Sequence, residues 1–244
     1  MKTWKTYLSL GGLLVWLTSC APAIEDVSKE CVVNQDQASL FLGHWAVHPI
    51  PLAVEAVDFS ASELNEIEAA IGKWNDFFEA SKGFKLYLSG SSPLTTVSSG
   101  GSRVSKNTVC SQTIVTPNGF SNSIKIYKNR SGWTYGTQVM ALSSLCPITR
   151  STTQYREFVA AVMEINYQNY FISGTPVPDL QSIVLHELGH VLGLNHSCTS
   201  SGCSDAPDDY REAVMYPALG FDGLNGRVKR DVSTNDQQRA NCLY

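Results

Sequence analysis

Apolar residues between positions 60 and 78 recur every three or four positions, which is the period of an amphipathic helix. Ser60 and Glu63 stand at the start of this run with the spacing of a capping box. The apolar positions are Leu64, Ile67, Ala70, Ile71, Trp74 and Phe78. We therefore predict a helix that buries one face against a core.

Several shorter segments alternate between apolar and polar residues, as half-buried strands do. The predicted strands are residues 83–89, 123–127, 138–145 and 158–167, and residues 90–105, rich in Ser, Gly and Thr, are a predicted loop. Pro178 and Asp179 open a second helix that runs through Ser182 to Leu192. This order of elements predicts an α+β fold in which a mixed, twisted sheet carries helices.

Composition and charge narrow the class of protein. The chain has 244 residues, of which 43% are hydrophobic and 16% are charged. This balance is typical of one globular domain and not of a disordered or fibrous protein. The formal net charge of −4 offers no basic surface for nucleic acid. We expect a monomer with no nucleic-acid partner.

One segment carries candidate chemistry: His-Glu-Leu-Gly-His-Val-Leu-Gly-Leu-Asn-His, beginning at His186. Residues four apart share one face of a helix, so His186 and His190 can bind the same cation. Glu187 projects towards the open side of that metal. Gly193 can take positive φ, so the helix can stop there and His196 can supply a third nitrogen.

Three neutral imidazoles leave a fourth position for water, which is the arrangement of a catalytic zinc site and not of a closed structural one. Zinc lowers the pKa of that water to around neutrality. Glu187 can take the proton as general base and later pass it to a leaving amine. The motif predicts one catalytic Zn²⁺ and hydrolysis of an amide bond without a covalent intermediate.

The motif resembles that of the metzincin metalloproteases, His-Glu-x-x-His-x-x-Gly-x-x-His followed by a methionine-containing turn. Here Met215, Tyr216 and Pro217 supply the turn. The resemblance implies that Met215 forms an apolar floor beneath the histidines, and that Tyr216 and Pro217 form a wall of the S1′ substrate pocket. It also implies a metzincin-like (zincin) fold with an active-site helix, a backing helix and a C-terminal helix.

Within the metzincins the chain resembles the matrixins, because Ser197 follows the third histidine and Met-Tyr-Pro closes the turn. Residues 232–236 open a last helix that runs towards Tyr244, like the final helix of that family. The resemblance covers residues 45–244 in the order of elements, but only the zinc motif and the methionine turn are specific.

The segment between His196 and Met215 is longer than matrixins usually have. It carries Cys198, Cys203, Asp205, Asp208 and Asp209. We expect it to reshape the primed side of the cleft. The acidic residues could bind calcium through oxygen ligands, although a solvated loop accounts for them as well.

Two further differences from related families concern which residues can bind metal. His44 and His48 are the two histidines outside the motif, and we expect ordinary strand or loop residues there and no second, structural zinc. Tyr216 directly follows the methionine, so the metal-binding tyrosine that astacins place two residues after theirs is not available. In the family an edge strand pairs antiparallel with the extended substrate, and residues 139–145 are the candidate; the alternative is a simple sheet edge.

The N-terminus predicts export. Lys2 and Lys5 form a positive region, and residues 7–17 form an apolar stretch too short to span a bilayer permanently. Leu17-Thr18-Ser19-Cys20 resembles a bacterial lipobox, which implies a lipid on Cys20 that holds the protein to a membrane. The alternative is an ordinary secretory signal with an incidental cysteine. Ala21 follows without an acidic retention signal, which favours the outer membrane of a bacterial cell envelope.

The remaining cysteines are even in number, which favours disulfides in an exported chain. They are Cys31, Cys110, Cys146, Cys198, Cys203 and Cys242. Cys198 and Cys203 enclose a short Thr-Ser-Ser-Gly loop and are the favoured pair. The alternative is that Cys31 is a free thiolate that caps the metal in a latent form.

These interpretations divide the chain into a signal peptide at 1–19, a lipidated cysteine and tether at 20–44, and a catalytic domain at 45–244. The function they predict is a zinc-dependent endopeptidase that cleaves extracytoplasmic proteins or peptides. Two alternatives remain: a catalytically silent zinc-binding surface lipoprotein, and a zinc amidase acting on cell-wall peptide.

Overall fold

The structure is a computed structural model, and it describes ten stretches of the chain. These are residues 42–45, 47–55, 59–88, 95–97, 123–148, 156–173, 177–198, 203, 206–217 and 228–244. The predicted signal peptide, Cys20, Cys31, Cys110 and Asp205 lie outside the described residues. No helix in the described stretches is both long and apolar enough to cross a membrane.

Six strands and four helices are described. In chain order they are β1 (His44–Trp45), β2 (Leu52–Glu55), α1 (Ala61–Lys82), β3 (Thr95–Val97), β4 (Ser123–Asn129), β5 (Ala141–Ile148), β6 (Glu157–Asn166), α2 (Leu180–Leu192), α3 (Asp208–Glu212) and α4 (Thr234–Asn241). The predicted α+β class is confirmed, with α2 as the helix of the zinc motif, α1 behind it and α4 at the C-terminus.

The six strands form one mixed sheet in the order β1-β6-β4-β2-β3, with β5 also on β6. β1 and β4 pair parallel with β6, and β2 pairs parallel with β3 and β4. β5 runs antiparallel to β6, from Ala141 opposite Ile165 to Ile148 opposite Glu157. Among the described strands β6 is the only partner of β5, so β5 is an edge of the sheet.

α1 begins at the predicted capping box and ends at a glycine. Ser60 Oγ accepts a hydrogen bond from the Glu63 N–H at 3.3 Å, and the Ser60 N–H donates to Glu63 Oε2 at 2.7 Å, which completes the capping box. Gly83 ends the helix with φ 76°, a left-handed conformation that glycine takes without strain. The buried positions are Ile67, Ala70, Ile71, Trp74, Asn75 and Phe78.

The main core lies between the two long helices and one face of the sheet. Ile124 and Ile126 of β4 and Met163 and Ile165 of β6 point into it and are fully buried. Because side chains alternate along a strand, the intervening residues point to the other face. There a second, smaller buried cluster is formed by Tyr127, Cys146, Ala160 and Val162.

The strand predicted at residues 83–89 is wrong. Of residues 83–88, which the structure describes, only Tyr87 makes a bridge, an isolated parallel one with Ile50. The backbone N–H and C=O of Tyr87 are bound by the side chain of Asn75, each at 2.8 Å, and so are not available to a neighbouring strand.

Other differences concern short elements. The predicted loop at 90–105 contains β3, whose Thr-Thr-Val sequence suits a strand, and the rest of that loop lies outside the described residues. β1, β2 and α3 were not predicted, because two to five residues are too few to show a period. Leu42 and Gly43, assigned to the tether, already lie against the folded body: the Leu42 N–H donates to Gly193 O at 2.7 Å.

Candidate metal centre

α2 carries the first part of the motif and has well-defined ends. Asp179 caps it by accepting a hydrogen bond from the Ser182 N–H at 2.8 Å. Gly193 ends it with φ 123°, and a Cβ there would overlap the carbonyl oxygen of Gly43. The predicted stop at Gly193 is confirmed, and the close approach of Gly43 adds a second reason for glycine.

Three buried aromatic residues and the partly buried Tyr244 fix the position of α2. Each donates a hydrogen bond to a carbonyl oxygen of the helix: Trp74 Nε1 to Leu185 at 2.9 Å, Tyr87 Oη to Leu188 at 2.6 Å, Trp45 Nε1 to Val191 at 2.7 Å and Tyr244 Oη to Leu192 at 2.7 Å. The last two satisfy carbonyls at the helix end that have no partner within the helix. These contacts restrain both rotation and sliding of the helix.

The three histidines of the motif come together. One ring nitrogen from each of His186, His190 and His196 lies within 4.8 Å of the others, and they are the only such group found among the described residues. Nε2 of His190 and Nε2 of His196 are 3.3 Å apart. The arrangement can hold one metal ion.

Backbone carbonyls orient two of the rings. His186 Nδ1 is 2.7 Å from Val214 O, and His190 Nδ1 is 2.9 Å from Leu194 O. When Nδ1 carries the proton and donates it to a carbonyl, Nε2 presents its lone pair to the metal. Within the described part of the chain no such carbonyl contact is found for the ring of His196.

The electrostatics keep these rings neutral. Burial lowers the pKa of His190 and of His196 to about 4. Burial, followed by the neighbouring His190 and His196, holds the pKa of His186 well below its usual value. All three are therefore neutral at pH 7, which is the state that coordinates a metal, and three imidazoles suit zinc.

Glu187 lies beside the histidines with a buried carboxyl group. It is 6% exposed, and its Oε2 has no hydrogen-bond partner within the described structure. Burial raises the pKa of Glu187 to about 7, and hydrogen bonds from the side chain and backbone of Ser143 oppose that rise. An oxygen without a partner and a pKa near neutrality are what proton transfer at pH 7 requires.

Met215 is fully buried directly beneath α2. A Cβ at Gly189 would overlap Met215 Sδ, so the glycine between the two helical histidines makes room for the sulfur. The turn is held by Asp236, whose carboxylate accepts from the Val214 N–H at 2.7 Å and the Met215 N–H at 3.1 Å. The position of Met215 agrees with the predicted apolar floor.

A cleft of about 400 Å³ opens beside the histidines. Its walls come from β5 and the segment before it, from α2 and from the methionine turn. Pro217 lines it, as the resemblance implied. Tyr216 does not line the cleft. Its ring packs with a buried cluster that includes Cys198 and Cys203, and its hydroxyl donates to Cys203 O at 3.4 Å.

The segment after His196 is partly described. Cys198 and Cys203 form the predicted disulfide, with Cα atoms 5.3 Å apart. Asp208 lies in the first turn of α3 and pairs with Arg211 at 2.6 Å on the surface. Within the described stretches no group of acidic residues lies close enough together to hold a cation. The possible calcium site is therefore not supported there.

The other predicted positions are accounted for in the structure. Cys146 and Cys242 are also disulfide-bonded. His44 is in β1 with its ring edge-on to Tyr244, and His48 stacks on Phe84 at 3.9 Å between ring centroids, so both are strand or loop residues as predicted.

Several supporting residues carry no local signal in the sequence. Ser143 is only one position of a predicted strand, and Asp236 is only one position at the start of a predicted helix. Arg239, fully buried in α4, has no pattern around it that marks a role. Their roles depend on which backbone groups they meet, and no local pattern records that.

Comparisons with known proteins give three results beside this geometry. No protein-family model matches the chain. Over 74 residues it is 34% identical to Metalloendoproteinase 2-MMP of Arabidopsis thaliana, a match that covers 30% of this chain and 16% of that protein. The chain thus spans about a sixth of the curated relative that it matches.

Among solved structures, High choriolytic enzyme 1 of the medaka Oryzias latipes, a hatching enzyme zinc-protease, aligns with 13% identity and a TM-score of 0.38. The alignment covers 82% of this chain and 93% of that one.

Proposed function

We propose that this protein is a zinc-dependent endopeptidase of the metzincin kind, most similar to the matrixins. The observation that carries the proposal is the site itself. Three neutral imidazoles converge beside Glu187, whose buried Oε2 has no partner within the described structure, and all four residues line an open cleft. The partial identity to a plant metalloendoproteinase supports the same reading.

The donor set fits zinc. His186, His190 and His196 would hold the ion through their free ring nitrogens, with two of the rings fixed by carbonyls of Val214 and Leu194. When bound, zinc would supply Lewis-acid chemistry that activates a water molecule and polarises the scissile carbonyl.

Glu187 would act as general base. Its Oε2 would take a proton from the attacking water and later give it to the nitrogen of the leaving amine. Ser143, on the strand opposite, donates its hydroxyl to the backbone carbonyl of Glu187 at 3.3 Å, and its hydrogen bonds also hold down the pKa of the Glu187 carboxyl. Burial between α2 and β5 keeps bulk water from the carboxyl before substrate arrives.

β5 would bind the substrate backbone. Among the described strands its outer edge has no partner, and the cleft along it is lined by Val139, Met140, Leu142 and Leu145. An extended peptide would add to this edge as a further strand, so recognition would depend on backbone more than on side chains. Glu187 is the one charged carboxylate among the cleft-lining residues described, so we expect apolar substrate side chains to be preferred.

The test is cleavage of a broad quenched-fluorescent peptide library by the purified protein, before and after chelation and zinc return. Glu187→Ala should lose at least about a hundredfold in rate while still binding zinc. Glu164→Gln, which changes another buried glutamate away from the cleft, is the matched control and should keep its activity. Retained cleavage in Glu187→Ala would overturn the mechanism.

The same assay separates the alternatives. A wild-type protein that binds one zinc but cleaves neither peptides nor peptidoglycan would be a silent zinc-binding lipoprotein. Release of fragments from peptidoglycan without cleavage of casein or gelatin would indicate a cell-wall amidase. The partnerless oxygen of Glu187 favours the enzyme over the silent protein, because a structural zinc site has no use for a general base.

We also propose that the protein is anchored in a bacterial outer membrane by a lipid on Cys20. Support comes from the lipobox-like residues before Cys20 and from the apolar stretch at 7–17. Metabolic labelling with a radioactive fatty acid should mark the wild type and leave Cys20→Ala unmarked. A wild type that is unlabelled and found wholly in the soluble fraction would indicate an ordinary secretory signal.

A further inference from the structure

The third histidine is held differently from the other two. His186 and His190 lie on α2, whose hydrogen-bonded backbone fixes their spacing. His196 follows Gly193 in an irregular segment, and the hydrogen bonds of the described residues include no carbonyl partner for its ring. Its position must therefore be set through its backbone.

That backbone is bound by Arg239. The Nη2 group of Arg239 donates to the carbonyl oxygen of Asn195 at 2.9 Å and to that of His196 at 3.2 Å. One guanidinium nitrogen thus holds the peptide units on both sides of the Cα of His196. Arg239 comes from α4, a separate element 43 residues further along the chain.

The cost of this arrangement argues that it has a purpose. Arg239 is 0% exposed, and its Nε and Nη1 have no hydrogen-bond partner within the described structure. Burying a guanidinium with unsatisfied nitrogens is unfavourable, and the nearby carboxylate of Asp236 compensates its charge without supplying partners to those two nitrogens. The hydrogen bonds that Arg239 does make therefore go to the backbone beside the third ligand.

The charge of Arg239 also works against a metal cation nearby, because like charges repel. The charge of Arg239 and its hydrogen bonds therefore have opposite effects on zinc affinity. Loss of the charge alone would tighten zinc binding, whereas loss of the hydrogen bonds that fix His196 would weaken it. The sign of the change in zinc affinity distinguishes the two.

We propose that Arg239 is a positioning residue that fixes His196, the third ligand, by binding the carbonyl groups of Asn195 and His196. The proposal rests on the zinc site of the proposed function and not on peptidase activity. Arg239 contacts neither substrate nor metal in it; it acts only through the backbone of the ligand.

The experiment compares full-length Arg239→Met and Arg239→Lys with the wild type. Methionine keeps much of the apolar stem and removes charge and donors, whereas lysine keeps the charge and one donor group. Two matched controls are Gln238→Met, an exposed neighbour on α4, and Lys125→Met, which removes a buried cation from β4. Zinc affinity is measured by chelator competition, the Co²⁺-substituted site by its visible absorption, and folding by urea unfolding.

Arg239→Met should bind zinc about tenfold or more weakly, as is typical when a partner that orients a ligand is lost, and should shift the Co²⁺ absorption bands. Arg239→Lys should fall between it and the wild type, and both controls should match the wild type in affinity. If the wild-type protein cleaves peptide, Arg239→Met should have a lower kcat and an unchanged KM.

Unchanged or tighter zinc binding in folded Arg239→Met would overturn the proposal and leave only the repulsion of the charge. If Arg239→Met does not fold, Arg239→Lys decides by the same two metal measurements. A wild type that binds zinc yet cleaves nothing would refute the proposed peptidase activity. The zinc-affinity test of Arg239 would still apply.

Discussion

Two regions of the molecule hold the metal ligands, and they do so by different physical means. α2 is almost wholly buried in apolar surroundings, and helix geometry alone brings His186 and His190 to one face. The second region, formed by the described residues of 194–217 together with α4, places His196 and Met215 through hydrogen bonds to charged side chains. The first depends on packing, the second on a few specific polar contacts.

α4 makes the contrast clear. Its sequence, Thr-Asn-Asp-Gln-Gln-Arg-Ala-Asn, would suit a solvated helix, yet Asn235, Asp236, Arg239 and Ala240 are buried. Asp236 binds N–H groups of the methionine turn, and Arg239 binds carbonyls beside the third ligand. One helix thus supplies an acceptor to one side of the site and a donor to the other.

The largest effect is expected from breaking the polar region at Asp236. Asp236→Ala removes the acceptor for the N–H groups of Val214 and Met215 and for Ser233. We expect a loss of about 4 kcal/mol in the free energy of unfolding, since buried donors would be left without partners. Urea unfolding measures it. Asp231→Ala, which breaks an exposed pair with Lys73, should cost under about 1 kcal/mol, and an equal cost would refute the assignment.

The packed region is tested at Gly189. Gly189→Ala should cost about 2 kcal/mol, because the new methyl group overlaps Met215 Sδ in a fully packed core. Gly72→Ala is the matched control: it lies within α1 with nothing near its Cβ, and should stabilise by about 0.5–1 kcal/mol. The Tm of Gly189→Ala should therefore fall below that of the wild type, and the Tm of Gly72→Ala should rise above it. A shift of the same sign in both would contradict the overlap.

The aromatic donors to α2 offer a finer comparison. Tyr244→Phe removes the donor to Leu192 O, a carbonyl at the helix end, and the acceptor of the Trp45 N–H, so we expect a loss of about 1–2 kcal/mol. Tyr87→Phe should cost about 1 kcal/mol or less, because Leu188 O keeps its partner within the helix. Chemical denaturation gives both values. A larger loss for Tyr87→Phe than for Tyr244→Phe would contradict the idea that the partner of a helix-end carbonyl matters most.

The smallest effect concerns an ion pair far from the site, between α1 and β4. Burial alone would raise the pKa of Glu63, but hydrogen bonds from Lys128, Ser60 and Tyr167 outweigh it and lower the pKa to about 2. Since the folded pKa lies below the unfolded value, this stabilisation is present above about pH 4.5 and is lost as pH falls towards 2.

Glu63→Gln should therefore cost about 1 kcal/mol at pH 7, with the difference from the wild type vanishing near pH 2. Unfolding measured across pH 2–7 tests this, and Glu68→Gln, an exposed neighbour on the same helix, is the control. Zinc affinity should not change in either variant. A change would show that the site also depends on contacts outside the two regions compared above.

Much of the fold follows from local sequence. The capping box and apolar period of α1, and the start signal of α2, predicted these two helices, since each depends on groups within four positions. α4 has no apolar period, and only the resemblance to the matrixins predicts it. The strand predicted at 83–89 failed because Asn75, from another element, binds the backbone of Tyr87.

The sequence by itself determined the chemistry of the site: three histidines and Glu187 at a spacing that helix geometry and one glycine bring together. Only the tertiary structure decided what holds them, because Asp236, Arg239, Ser143 and the aromatic donors act on backbone groups distant in the chain. Every residue carries the same N–H and C=O groups, so no sequence pattern records which one a side chain will meet.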